Sequence, residues 1–283
     1  MPHPLSLAFL TLPGIPPARM IEAAAGAGFA AVGLRLLPAA LSGEGPYPLL
    51  TDDRVLADTL AALRDTGLGV ADVEIIRLNA GFDPESCLPF LERAARLQAR
   101  HVLVAGDDRD LSRLTGSYAR FCEAAAGFGL SGDLEFMPWT AVPDLATARR
   151  IVEAAAQPNG AILIDALHFD RAPTTLEEIR ALPAGLINYV QFCDGPRPYD
   201  PGDEGLIAVA RGGRLMPGEG AIDLTGLARA IPEGCMISVE VADLTNRLSP
   251  LDTAQRAART TRAILDAAAR IPAGPNQQEE EGR

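Results

Sequence analysis

The feature that most constrains the fold is a regular alternation of short apolar runs and longer stretches with a helical apolar period. Eight apolar runs start 25 to 49 residues apart, and an amphipathic stretch follows each one. Within each run the residues that would face either side of a strand are apolar, which is typical of parallel strands covered on both faces. The pattern predicts a single (β/α)8 TIM barrel. Its strands are expected near Ser6, Ala31, Val70, His101, Leu130, Ala161, Ile187 and Met236.

The amphipathic stretches predict eight helices, several of which begin at a proline or at an acidic capping residue. They cover residues 16–27, 52–66, 84–98, 110–127, 145–156, 175–182, 223–231 and 253–271. No linker divides them, so residues 1–271 are predicted to form one domain. Residues 272–283 contain a run of Gln and Glu, and we expect a disordered acidic C-terminal tail there.

The positive charges of the chain are all arginine, because its 25 cationic residues include no lysine. Schiff-base aldolases, PLP enzymes and P-loop enzymes each depend on a lysine amine, so these classes are excluded. A net charge of −12 argues against nucleic acid as a partner, since phosphate binding needs a concentrated basic face. No apolar run approaches the ~20 residues of a membrane helix, so we expect no membrane partner.

The cysteines and the first residues bear on the compartment. Cys87, Cys122, Cys193 and Cys235 are far apart and form no CxxC motif. This spacing does not suit a zinc knuckle or a disulfide framework, and it is typical of the reduced cytosol. The N-terminal segment lacks the basic region of a signal peptide. We therefore expect a cytoplasmic enzyme.

Polar side chains occur at the ends of four consecutive predicted strands, from the fifth to the eighth. Because the carboxyl ends of barrel strands open on one mouth, we expect these side chains to converge. Converging carboxylates repel each other unless a cation neutralises them, and the chain has no lysine to do so. The pattern predicts a divalent metal site, with Mn²⁺, Mg²⁺ or Co²⁺ preferred and Zn²⁺ as an alternative. The residues are Glu135, Asp165, His168, Gln191, Asp194 and Glu240.

With these residues the chain resembles the xylose isomerase-like TIM barrels, and the resemblance extends from Leu5 to Ile271. This superfamily includes sugar phosphate isomerases, ketose 3-epimerases, inosose dehydratases, 3-dehydroshikimate dehydratases and AP endonucleases. The resemblance implies that Arg214, in the ArgXXProGlyGluGly segment after the seventh strand, contacts substrate. It also implies one divalent ion held by Glu135, Asp165, Gln191 and Glu240.

The chain departs from parts of this superfamily at two points. Ketose 3-epimerases usually carry histidine at the strand-7 position, where this chain has Gln191. Some dehydroshikimate dehydratases carry glutamine there, so the residue keeps a metal ligand but weakens the assignment as an epimerase. AP endonucleases need several further histidines for a trinuclear zinc cluster. This chain has only His3, His101 and His168, which argues against that branch.

The chemistry shared by the superfamily is proton transfer next to a carbonyl. In this chemistry a bound ion would polarise the substrate carbonyl, and Glu135 and Glu240, on opposite sides of the mouth, are expected to divide the roles of base and acid. His168, three residues after a proposed ligand, is predicted to act in acid–base catalysis or to contact substrate. Arg214 is predicted to hold a substrate oxygen.

Other residues near the mouth have two interpretations each. Arg171 is either a clamp for a substrate anion or a partner of Asp170. Trp139, the only tryptophan, either lines the substrate pocket or packs in the core. We include Arg171 and Trp139 in the predicted substrate-binding set. Glu74 and Arg77, both in the third strand, are predicted to pair with each other.

Three functions follow from this pattern. The preferred hypothesis is a metal-dependent isomerase or epimerase that acts on a sugar or another small polyhydroxy carbonyl compound. The alternative is a lyase of the 3-dehydroshikimate dehydratase type, since the same enediolate expels a hydroxyl group that lies β to the carbonyl. A third hypothesis is a non-catalytic sugar-binding barrel subunit, against which the complete ligand set argues. Assembly as a homo-oligomer is left open.

Overall fold

The computed structural model describes residues 3–39, 46–245 and 247–271, which form a closed barrel of parallel strands. The strands pair in chain order, and β8 closes the barrel by pairing with β1. Every strand begins within two residues of its expected position, so the predicted (β/α)8 TIM barrel is confirmed. The strands are β1 Leu5–Leu7, β2 Ala31–Arg35, β3 Gly69–Leu78, β4 His101–Gly106, β5 Ser131–Glu135, β6 Gly160–Asp165, β7 Tyr189–Phe192 and β8 Met236–Val239.

Helices connect the strands around the outside of the barrel. In the described residues they are α1 Pro17–Gly26, α2 Pro48–Thr51, α3 Asp53–Thr66, α4 Leu88–Arg96, α5 Leu111–Ala126, α6 Leu145–Ala155, α7 Ala166–Arg171, α8 Leu176–Arg180, α9 Asp203–Gly212, α10 Leu224–Ala230 and α11 Pro250–Arg270. The sequence pattern predicts all of them except α2, α7 and α9. None of these described helices is both long and apolar enough to span a bilayer. The predicted tail, residues 272–283, lies outside the described residues.

Two predicted helix starts differ from the structure. The helix expected from residue 84 begins as a 3₁₀ turn, Pro84–Cys87, and becomes α4 only at Leu88. The last helix starts earlier than expected, because Ser249 accepts a hydrogen bond from the amide of Asp252 and caps α11. Asp110 caps α5 in the same way, through the amides of Ser112 and Arg113. Such caps determine where each loop ends.

The hydrophobic core has two parts. The larger part lies between the strands and the surrounding helices, and all four cysteines are buried and free. The smaller part, Ile75, Leu103, Ala105, Met137, Leu163 and Tyr189, fills the barrel interior. Because successive side chains of a strand point to opposite faces, Leu163 and Asp165 share the inner face of β6. Glu135 pairs with Leu163 in the β5–β6 ladder. The interior apolar cluster therefore lies directly below the polar residues of the mouth.

Candidate active site

The ends of β5 to β8 bring four oxygen-bearing side chains to one buried place at the barrel mouth. Glu135 and Asp165 are the last residues of β5 and β6, Gln191 lies in β7, and Glu240 directly follows β8. All four side chains belong to residues that are at most 4% exposed. Asp165 pairs with Gln191 in the β6–β7 ladder. The predicted convergence is present in the structure, and the assignment of these residues as ligands stays a prediction.

Asp165 links the end of β6 to a helix that the sequence pattern does not predict. Its Oδ1 accepts hydrogen bonds from the amides of Leu167 at 2.8 Å and His168 at 3.0 Å. The carboxylate therefore caps α7, and this first turn places His168 beside it. A helix of six residues is too short to give a clear apolar period, which explains why the pattern analysis misses it.

Glu135, Asp165 and His168 form a compact group whose ligand atoms lie within 4.8 Å of one another. His168 Nε2 is 3.6 Å from Glu135 Oε1 and 4.0 Å from Asp165 Oδ1. Burial lowers the pKa of His168 to about 4, so its imidazole is neutral at neutral pH. Burial raises the pKa of Glu135 well above its usual range, and the charges of Asp165 and Glu240 raise it further. A neutral imidazole and a carboxyl group that favours its protonated form are thus neighbours.

Gln191 and Glu240 form the other half of the site. Gln191 Nε2 donates a hydrogen bond to Glu240 Oε1 at 3.2 Å. Gln191 Oε1 is buried and has no hydrogen-bond partner among the described residues. Burial raises the pKa of Glu240 to about 7, although the charge of Arg214 acts in the opposite direction. An unpaired amide oxygen beside three carboxylates fits a hard divalent cation, which binds oxygen ligands.

Arg214 lies between two of these carboxylates. Its Nη1 donates to Asp165 Oδ2 at 2.5 Å, and its Nη2 is 3.0 Å from Glu240 Oε2. Burial acts to raise the pKa of Asp165, but the charge of Arg214 holds that pKa below its usual value. The expectation that the carboxylates have no cation from the chain is therefore wrong, because Arg214 already neutralises part of their charge. Its contact with substrate stays a prediction.

The buried carboxylate of Asp194 holds the segment that follows Arg214 in the loop after β7. Asp194 Oδ2 accepts from the amide of Gly218 at 3.0 Å, and Oδ1 accepts from the amide of Ile222 at 2.9 Å. Gly218 has a φ of 87°, which favours glycine. A Cβ on Gly220 would lie 2.4 Å from Asp194 Oδ1, so only glycine fits there. Asp194 is thus a structural support of the segment rather than a member of the ligand cluster.

The remaining predicted substrate residues lie on the β5–β6 side of the mouth. Trp139 packs edge-on against His168, with ring centroids 5.0 Å apart. Arg171 forms an ion pair with Asp170, and its Nη2 donates to the carbonyl of Pro196 at 2.8 Å. These contacts match the interpretation of Arg171 as a partner of Asp170. The substrate roles of Trp139 and Arg171 stay predictions.

The predicted pairing of Glu74 with Arg77 is wrong. Glu74 pairs with Arg35, its direct neighbour in the β2–β3 ladder, and both residues are buried. Arg77 instead binds Asp107 through its Nε and Nη2 atoms, each at 2.6 Å. The register of β3 with β4 shifts between Val73 and Ile76, so the regular spacing of side chains along β3 is interrupted between Glu74 and Arg77. Arg35 at the end of β2 is the sequence signal that identifies the partner, since inward residues of adjacent strands become neighbours.

Comparison with known proteins decides the family. A family model of the xylose isomerase-like TIM barrel matches residues 21–264. The chain belongs to this family. The superfamily resemblance inferred from the strand-end residues is therefore confirmed. No curated protein sequence matches the chain significantly.

Solved structures of this xylose isomerase-like barrel share the fold at low sequence identity. IolI, solved with a bound zinc atom, has a TM-score of 0.77 and 18% identity over 95% of this chain and 100% of that chain. A D-allulose 3-epimerase from Methylomonas sp. has a TM-score of 0.70 and 16% identity over 93% and 98% of the two chains. A xylose isomerase-like TIM barrel/4-hydroxyphenylpyruvate dioxygenase fusion protein has a TM-score of 0.76 and 20% identity over 98% of this chain. The chain spans only 46% of that fusion protein.

Proposed function

We propose that the chain is a divalent-metal-dependent isomerase or epimerase that acts on a sugar or another small polyhydroxy carbonyl compound. The observation that carries the proposal is the meeting of four buried side chains from β5 to β8, namely Glu135, Asp165, Gln191 and Glu240. Similar structures include proteins named D-allulose 3-epimerase and L-ribulose 3-epimerase, which supports chemistry on a ketosugar.

The same four residues would hold the ion. Their carboxylate and amide oxygens suit Mn²⁺, Mg²⁺ or Co²⁺, and Zn²⁺ is the alternative. The bound zinc of IolI supports metal binding by this fold. A divalent ion at this place would supply positive charge beside the substrate carbonyl, which makes the neighbouring C–H bond more acidic.

Glu135 and Glu240 are the residues to which we assign proton transfer. Burial raises the pKa of both, and that of Glu240 reaches about 7, so it can take up and release a proton near neutral pH. Neutral His168, 3.6 Å from Glu135, would pass a proton to this carboxyl or hold a substrate hydroxyl. Return of the proton to the opposite face of the same carbon gives epimerisation, and its return to the neighbouring carbon gives isomerisation.

Gln191 favours a second candidate function. Its glutamine side chain matches the strand-7 residue of some dehydroshikimate dehydratases, as noted from the sequence. Removal of the α-proton by Glu135 or Glu240 would then be followed by loss of a hydroxyl group β to the carbonyl. The substrate of such a lyase, unlike a ketosugar, yields a conjugated product that absorbs ultraviolet light.

Exchange of substrate protons with solvent tests the proposal without knowledge of the product. The Mn²⁺-loaded protein is incubated with D-allulose or D-fructose in deuterium oxide, and loss of the proton next to the carbonyl is followed by NMR. We expect exchange that stops after EDTA treatment and returns with the ion. If both sugars are inert and 3-dehydroshikimate gives ultraviolet absorbance, the lyase is the function. If all these compounds are inert, the non-catalytic barrel becomes the better hypothesis.

A further inference from the structure

A buried ion pair lies across the mouth from the candidate metal ligands. Arg35, the last residue of β2, forms an ion pair with Glu74 of β3. In this closed eight-stranded barrel, β2 and β3 lie opposite β6 and β7, which carry Asp165 and Gln191. Arg35 is 7% exposed and Glu74 is fully buried. The function proposed above leaves both residues without a role.

Each member of this pair keeps one unsatisfied polar atom. Arg35 Nε and Glu74 Oε1 are buried and have no hydrogen-bond partner among the described residues. The nearby pair of Arg77 and Asp107 differs, because two parallel hydrogen bonds of 2.6 Å join its members and Arg77 Nη1 donates to the carbonyl of Ala39. Buried polar atoms are costly when unpaired. An unpaired donor in Arg35 and an unpaired acceptor in Glu74 therefore point to a ligand that forms a hydrogen bond with each of them.

The charges of the pair act on Glu240, one of the two carboxylates to which proton transfer is assigned. Burial is the main cause that raises the pKa of Glu240 to about 7, with Glu74 acting to raise that pKa and Arg35 acting to lower it. Arg35 lies over the ring of Phe9, 4.8 Å from its centroid. Arg35 also lines a mostly apolar cavity of about 340 Å³ together with Phe9 and Tyr47. Arg35 thus borders a cavity on the β1–β2 side and also pairs with Glu74.

We propose that Arg35 and Glu74 bind two neighbouring hydroxyl groups of an uncharged substrate. Arg35 Nε donates to one hydroxyl oxygen, and Glu74 Oε1 accepts from the other hydroxyl. This inference rests on the proposed function and narrows its substrate to neutral polyhydroxy carbonyl compounds. Neighbouring hydroxyls suit the pair because each is both a donor and an acceptor, whereas a phosphate at neutral pH offers mainly acceptors.

The charges at the mouth agree with an uncharged substrate. A bound divalent ion would displace the protons of Glu135 and Glu240, so that four carboxylates and two guanidinium groups would then sum to two negative charges, which the ion would neutralise. No positive charge of this set is left over for a phosphate or carboxylate group. An anion placed beside Arg35 would also meet the negative charge of Glu74, which selects against it. The groups counted are Glu74, Glu135, Asp165, Glu240, Arg35 and Arg214.

The test compares Glu74→Gln with the control variant Asp107→Asn in the Mn²⁺-loaded full chain. The probes are D-allulose and D-allulose 6-phosphate, and the readout is kcat and KM for solvent deuterium exchange. Glu74→Gln keeps the size of the side chain but removes its charge. We expect the KM for D-allulose to rise about tenfold, as for loss of one hydrogen bond to a charged group, with kcat within about threefold. We expect the preference for D-allulose over its phosphate to fall by about the same factor.

Asp107→Asn carries the same chemical change in the neighbouring ion pair, where every oxygen is already used within the protein. We expect it to leave both KM and the preference unchanged. Arg35→Lys tests the other partner, because it keeps the charge but loses Nε. It is expected to raise KM as Glu74→Gln does, with the metal content by mass spectrometry unchanged. Thermal melting of each variant shows whether the fold is kept.

Two results would overturn the inference while leaving the proposed function intact. One is an active Glu74→Gln variant with unchanged KM and preference, and the other is a wild-type protein that prefers the phosphate. A wild-type protein that exchanges no substrate proton counts against the proposed function instead. In that case D-allulose binding is measured by calorimetry. The inference is supported if wild type binds D-allulose and if Glu74→Gln and Arg35→Lys weaken this binding while Asp107→Asn does not. The inference is overturned if wild type does not bind D-allulose.

Discussion

Two buried carboxylates on the same strand have opposite surroundings. Asp133 and Glu135 lie two residues apart on β5, point into the barrel and are at most 4% exposed. Asp133 accepts hydrogen bonds from Ser131 Oγ at 2.5 Å and from Asn188 Nδ2 at 2.9 Å. Glu135 faces His168 Nε2 at 3.6 Å, beyond hydrogen-bond distance. Neutral donors therefore satisfy the lower carboxylate, Asp133. They do not satisfy the upper carboxylate, Glu135, which lies nearer the mouth.

The difference separates a structural carboxylate from a reactive one. Burial raises the pKa of Asp133, but His101, Ser131 and Asn188 all act to lower it. Burial also raises the pKa of Glu135, and there the nearest charges, Asp165 and Glu240, raise it further. The neighbours of Asp133 therefore offset part of the effect of burial on its pKa, whereas Asp165 and Glu240 add to that effect on Glu135, which makes Glu135 a better acceptor of a proton.

Replacing the upper carboxylate is expected to give the largest effect. Glu135→Gln and Glu240→Gln should each lower kcat/KM for deuterium exchange about 10²–10⁴-fold, the usual contribution of a general acid or base. Both variants should also lose bound metal, as mass spectrometry would show. Asp133→Asn is the matched control on the same strand, and its folded fraction should keep kcat/KM within about threefold. Full metal and full activity in both glutamine variants would refute the ligand assignment.

Replacing the lower carboxylate is expected to affect stability instead. Asp133→Ala removes the hydrogen bonds that Ser131 Oγ and Asn188 Nδ2 donate to this carboxylate, each worth about 0.5–1.5 kcal/mol. Urea denaturation should therefore show a lower free energy of unfolding than in wild type. Glu135→Gln should change that free energy little, because it removes a buried charge that its neighbours disfavour. An Asp133→Ala protein as stable as wild type would show that this network is dispensable.

The smallest expected effect concerns His101, which borders Asp133. Burial lowers the pKa of His101 below 6.5, although Asp133 acts to raise it. The unfolded chain then binds more protons at His101 than the folded chain below about pH 6.5, so this contribution to stability is present above that pH and is lost as pH falls. His101→Gln should show a shallower decline in the free energy of unfolding between pH 7.5 and 5.5. An identical decline in wild type and variant would exclude this role.

The sequence was sufficient for the fold because its signals are local. Each strand is visible in the sequence as a short apolar run, for example at Ala31 and at His101. The parallel barrel follows from the strict alternation of these runs with helices. The meeting of Glu135, Asp165 and Gln191 was predictable for a related reason. In a barrel, the ends of successive strands are neighbours whatever the loops do.

The partners of the arginines could not be predicted in the same way. Arg214 reaches Asp165 and Glu240 only because of the path of the loop after β7, which has no periodic pattern. Arg35 and Glu74 each occupy a predicted strand, but their pairing depends on the β2–β3 register, which shifts between Val32 and Gly33. Side-chain partners across such a shift need three-dimensional geometry.

The metal content of the purified protein tests the central claim most directly. The chain is purified without chelator, and its divalent ions are counted by mass spectrometry against protein concentration. We expect about one ion per chain, held by the four oxygen-bearing side chains of β5 to β8. Fewer than about one ion per two chains, with no uptake after incubation with Mn²⁺, Mg²⁺, Co²⁺ or Zn²⁺, would contradict the account.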